Sequence, residues 1–198
     1  MAAVRSEPVE LHAHAMDSLR YIRGAMERAS LFTAVPGWGG MLMGATALVA
    51  AWLAGSPRSG ARWLELWAVE AMAALVVGLA AAWEKSRRMR MPLLSGAGRK
   101  FVAGFAPALA AGVLLTAVLS NSGAWATLPG VWLLLYGVAV ISGGAHSVRV
   151  VPLMGVCFMA LGAVALWMPA GAGNGFLAAG FGGLHIVFGA VIALRYGG

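Results

Sequence analysis

Residues 101–119 read Phe101-Val-Ala-Gly-Phe-Ala-Pro-Ala-Leu-Ala-Ala-Gly-Val-Leu-Leu-Thr-Ala-Val-Leu119, an uncharged run of 19 residues bounded by Arg99-Lys100 before it and Ser120-Asn-Ser-Gly123 after it. At about 1.5 Å per residue, such a helix matches the roughly 30 Å of bilayer hydrocarbon. Five further runs of similar length flank it, at 38–55, 63–83, 129–145, 151–168 and 176–194. Of the six, only 63–83 holds charged residues, Glu65 and Glu70. Short connections rich in turn formers separate several of them, such as Ser56-Pro-Arg-Ser-Gly60 and Pro169-Ala-Gly-Ala-Gly-Asn-Gly175. The expected fold is therefore all-α and polytopic: a six-helix transmembrane bundle over 38–198, built of antiparallel hairpins, after a cytoplasmic segment, 1–37.

Composition agrees. In the 198-residue chain 61% of residues are hydrophobic and 11% charged, against about 45–50% and about 25% in a soluble domain. The net charge of +7 would raise the question of nucleic acid in a soluble protein, but here its placement follows topology. With the N-terminus inside, twelve basic residues fall on the cytoplasmic side: Arg5, Arg20, Arg23, Arg28, Lys85, Arg87, Arg88, Arg90, Arg99, Lys100, Arg149 and Arg195. Only Arg58 and Arg62 fall outside. This positive-inside bias predicts a multi-pass inner-membrane protein with both termini cytoplasmic, and no nucleic-acid partner. Trp38, Trp63, Trp83, Trp125 and Trp167 lie near span ends, the expected place for interfacial anchors. The first 30 residues lack the apolar core of a secretory signal, so the N-terminus is expected to be retained.

Residues 8–30 read as an amphipathic helix. Leu11, Ala15, Leu19, Ile22, Met26 and Ala29 form one face, and pairs such as Asp17/Arg20 and Arg23/Glu27 stand at helical spacing on the other. The apolar stripe is expected first to lie on the inner leaflet, and otherwise to dock as a short coiled coil on a protein partner or a second copy. Residues 84–100 read as a basic loop. Its Lys85, Arg87, Arg88, Arg90, Arg99 and Lys100 are expected to contact anionic headgroups.

Small residues recur at helical spacing, as at Gly40/Gly44, Gly104/Ala108/Gly112 and Gly130/Gly137/Gly144. In lipid such seams let backbones approach, which argues for a tightly packed bundle or a dimer. An offset of 45 residues relates Pro107 to Pro152, Tyr136 to Phe181, Gly130, Gly137 and Gly144 to Gly175, Gly182 and Gly189, and Ile141 to Ile186, which suggests an internal duplication. The last hairpin runs from Gly155-Val-Cys-Phe-Met-Ala-Leu-Gly162 through Met168-Pro169 to Gly182-Gly-Leu-His-Ile-Val-Phe-Gly189 and Arg195. It resembles the repeating unit of the HdeD-type acid-resistance membrane proteins. The resemblance covers about 45 residues, implies a six-helix inner-membrane protein with a stress-related role, and carries over no functional residue.

Candidates for chemistry are few. Asp17 is the single aspartate, and no His-Glu-x-x-His or nucleophile elbow occurs, so no catalytic residue is assigned and a non-enzymatic role is expected. One cysteine, Cys157, excludes an intramolecular disulfide. His146 and His185 differ in depth by about 15 Å, too far to share one haem. His12 and His14, two apart, face different sides of a helix, so neither a metal nor another cofactor is expected. What remains is Glu70, about 10 Å in from the outer end of its span, and His185, about 13 Å in. A carboxylate in hydrocarbon takes a proton or finds a partner. Glu70 and His185 are thus either a pair at the centre of a small proton-coupled transporter or a hydrogen-bonded structural contact, or else Glu70 is protonated and bonds a carbonyl.

Overall fold

The computed structural model describes residues 14, 16–22, 35–55, 60–88, 96–145 and 147–196. Among them the backbone is almost wholly helical, with no extended strand. Among the described residues six helices are long and apolar enough to cross a membrane: α1 (Gly37–Ala54), α2 (Gly60–Arg88), α3 (Gly96–Asn121), α4 (Trp125–Gly144), α5 (Val150–Trp167) and α6 (Ala170–Tyr196). The protein is an all-α, multi-pass membrane protein.

Each apolar run becomes one helix, but several helices outlast their runs. α2 continues past the expected end at residue 83 through Glu84-Lys-Ser-Arg-Arg88, where Arg88 Nε meets Glu84 Oε1 at 2.8 Å one turn back. α3 begins at Gly96, before the expected residue 101. Residues 84–88 and 96–100, expected as loop, are thus helical. Hydropathy marks only the hydrocarbon slab, whereas Lys, Arg and Glu are good helix formers that carry a helix on into the headgroups. Gly123, at φ +76°, turns the chain after α3 in the left-handed region that glycine enters without strain. At the other end of the chain, Pro36 is extended and opens α1.

Four helices form the interior: α6 packs on α1, α4 and α5, and α4 packs on α5. α2 flanks α1, and α3 flanks α4. The glycine seams make these contacts. A Cβ on Gly137 would lie 2.6 Å from the Gly155 carbonyl, and one on Gly155 would lie 2.7 Å from the Gly137 carbonyl, so α4 and α5 meet backbone to backbone. Gly44 faces the Gly182 carbonyl at 2.6 Å in the same sense, locking α1 to α6. Of the glycines paired by the 45-residue offset, Gly137 and Gly182 both lie on such seams, but Gly144 meets the Val151 side chain where Gly189 meets the backbone of Gly37 and Met41, and Gly175 meets nothing within 4 Å. Large apolar side chains elsewhere point outward, as Val113, Leu114 and Leu194 do. Such exposure fits acyl chains as solvent and not water.

Candidate functional site: a buried tyrosine and histidine

α6 is not a uniform α-helix. Residues Ala178–Leu184 widen into π-helical turns before regular α geometry resumes at His185. π turns leave carbonyl groups free for side chains and recur at functional sites. Here the Phe181 carbonyl receives His185 Nδ1 at 3.0 Å. A carbonyl oxygen only accepts, so Nδ1 carries the hydrogen and, in the neutral ring, Nε2 accepts. The Tyr136 hydroxyl, reaching across from α4, supplies the donor at 2.7 Å. His185 is buried, so this pairing satisfies both ring nitrogens away from solvent.

Aromatic rings from three helices, α3, α5 and α6, enclose the pair. Tyr136 takes Phe158, Phe181 and Phe105 edge-on, at 4.8, 5.1 and 5.9 Å between centroids. Phe158 also meets the His185 ring at 5.3 Å. From Phe181 the cluster runs through Trp67 and Trp63 to Trp132, which stacks on Trp63 at 5.3 Å. Two of the three indole nitrogens have partners in the bundle: Trp67 Nε1 donates to Asn174 Oδ1, whose amide donates to the Ala51 carbonyl, and Trp132 Nε1 donates to Thr116 Oγ1. Among the described residues no buried side-chain nitrogen or oxygen lacks a partner.

The expected Glu70–His185 contact does not form. His185 has both nitrogens engaged, and Glu70 Oε1 bonds Thr46 Oγ1 on α1 at 2.8 Å. Matching depth is not enough, because Glu70 sits in a groove between α1 and α2 while His185 turns from α6 toward α4. Lys85 also departs from expectation. It is buried, and its ammonium donates to the Val35 carbonyl at 3.0 Å and the Tyr196 carbonyl at 3.3 Å, clamping the entry of α1 to the end of α6. A cation suits the carbonyls left open at a helix C-terminus, which draws Lys85 inward from the headgroups.

Arg87, Arg88, Arg99 and Lys100 are exposed at that same end, while Arg90 lies outside the described residues. Trp38, Trp83 and Trp167 are exposed at helix ends, whereas Trp63 faces inward against Trp132. In the tail, 16–22 is helical, with Leu19 and Ile22 exposed and Asp17 paired to Arg20 at 3.0 Å. Leu11, Ala15, Met26, Arg23, Glu27, His12 and His146 lie outside the described residues. Among the described residues no three His, Cys, Asp or Glu side chains gather as a metal site.

Tyr136 is the principal residue that the sequence reading passes over. Its signal is position: a tyrosine in the middle of an apolar run, far from the interface where tyrosines collect. No family model, no curated protein and no solved structure matches this chain.

Proposed function

We propose that the chain is a non-enzymatic inner-membrane protein with both termini cytoplasmic and a structural, stress-related or regulatory role. In this reading the bundle is a rigid platform that presents the tail and the 84–100 connection to anionic lipid or to a partner, a second copy included. The observation that carries it is the pair of backbone-to-backbone glycine seams, α4 on α5 and α1 on α6. Such interlocking favours one fixed packing over the alternating arrangements a carrier needs. The exposed Arg87, Arg99 and Lys100 give that platform a basic face, and the HdeD-like pattern of the last hairpin fits a stress-related role.

The test compares wild type, a chain lacking residues 1–36, and a variant with Arg87, Arg99 and Lys100 changed to Ser, scoring co-purified proteins and lipids. A partner lost with the tail, or anionic lipid lost with the basic residues, supports the platform. The absence of both effects overturns it.

A second reading, proton-coupled transport, draws on one observation, the buried imidazole hydrogen-bonded to a tyrosine beside a π-helical segment. Glu70 and His185 then act at separate sites. Proton flux into proteoliposomes that is lost in both Glu70→Gln and His185→Ala favours transport. Flux no greater than in empty vesicles removes it.

A further inference from the structure

The Thr46 hydroxyl stands within hydrogen-bond distance of three oxygens: the Leu42 carbonyl at 3.3 Å, the Met43 carbonyl at 2.9 Å and Glu70 Oε1 at 2.8 Å. It has one proton to give. Threonine in an apolar helix habitually returns that proton to a carbonyl one turn back, and here the Met43 carbonyl lies at ordinary bonding distance. The Thr46 oxygen then turns a lone pair toward Glu70. Two oxygens at 2.8 Å need a hydrogen between them, and the remaining source is the carboxyl group.

The surroundings point the same way. Thr46 and Glu70 are the polar members of an open groove of about 370 Å³ whose other walls include Val49, Leu53, Leu66 and Val69. Val49, Leu53 and Val69 are exposed, which in a bilayer means facing acyl chains. α1 has no ionisable side chain. On α2 the nearest are Glu65 and Arg62, about 7.5 and 12 Å toward the outer end by the helical rise, with Glu84 and Lys85 about 21 Å the other way. On α6, which packs against α1, His185 is engaged with Tyr136 and Phe181, and Arg195 lies at the far end. An ionised carboxylate in such a groove would lack the compensation that a buried charge requires.

We propose that Glu70 and Thr46 form a proton-binding site opening sideways into the acyl-chain region between α1 and α2, with Glu70 held as the neutral acid and donating to Thr46. The site rests on neither reading of function above. Its chemistry gives a direct probe. A neutral carboxylic acid adds across a C=N bond of a carbodiimide, its proton going to nitrogen and its oxygen to the central carbon. The resulting O-acylisourea rearranges by oxygen-to-nitrogen acyl transfer to a stable N-acylurea, with no leaving group.

The experiment treats the full chain in phosphatidylcholine vesicles at neutral pH with dicyclohexylcarbodiimide, and maps adducts by peptide mass spectrometry. A water-soluble carbodiimide is run in parallel. The expected result is a Glu70 adduct from the hydrophobic reagent, absent in Glu70→Gln and not formed by the water-soluble reagent. Over a pH series, Thr46→Val, which removes the acceptor of the acid, lowers the pH at which labelling falls to half by about half a unit, about threefold in proton affinity and the worth of one net hydrogen bond; Thr46→Ser retains the wild-type midpoint. No adduct at Glu70, equal labelling by the water-soluble reagent, or a midpoint unchanged or raised in Thr46→Val would each overturn the proposal. A raised midpoint would mean that Thr46 donates to an ionised Glu70.

Discussion

The Tyr136 hydroxyl and the buried His185 ring meet among the aromatic side chains of the bundle interior. Tyr136→Phe keeps the ring packing on Phe158 and Phe181 and deletes only the donor to Nε2. It is expected to cost about 0.5–2 kcal/mol, within the range of interhelical hydrogen bonds in membranes, read as a lower unfolding midpoint in detergent. Unchanged stability would mean that Nε2 finds a donor elsewhere. Glu70 and His185 are legible in the sequence because any ionisable group inside an apolar run stands out. Their partners are not, because Thr46 and Tyr136 are named by the rotation of α1 and α4 about their own axes. That rotation follows from packing across helices that lie far apart in the chain.

At the scale of the helices, glycine spacing predicts close approach, and the structure specifies which faces meet. Gly155→Ala would place a methyl 2.6 Å from Ile141 Cγ1 and 2.7 Å from the Gly137 carbonyl, and the carbonyl cannot swing aside. A loss of about 1–3 kcal/mol is expected from such overpacking, measured by unfolding in mixed detergent. Gly175→Ala, with nothing within 4 Å, serves as the control and leaves the midpoint in place. Equal effects of the two would show that the seam is looser than its geometry. The six spans are readable from hydropathy because the bilayer imposes one length on all of them. The end of α2 is not, since Glu84 and Arg88 prolong the helix by local pairing after the hydrocarbon stops. The π-helical turns of Ala178–Leu184 leave no mark in periodicity at all, because an apolar, glycine-rich run has no polar face to register the extra residue.

For the molecule as a whole, the charge asymmetry makes a prediction about sidedness. In a background carrying Cys157→Ala, a cysteine placed by Ser122→Cys lies in the α3–α4 turn, and one placed by Arg99→Cys at the opposite end of α3. A membrane-impermeant maleimide is expected to reach the first in intact cells and the second only after permeabilisation. The reverse pattern would invert the topology and put the basic face outside.

The pairing of α1 with α6 sets a condition on how the protein is made. Helices leave the ribosome in chain order, so the first span enters the bilayer long before its glycine-matched neighbour has been translated. Until then the Gly44 face and the Ala51 carbonyl, which Asn174 later occupies, are open to lipid or to whatever insertion factor stands beside them. Synthesis halted after α2 and before α6 would release a nascent chain whose α1 is still waiting for the last helix, with the Lys85 clamp of α2 lacking the Tyr196 carbonyl that closes it.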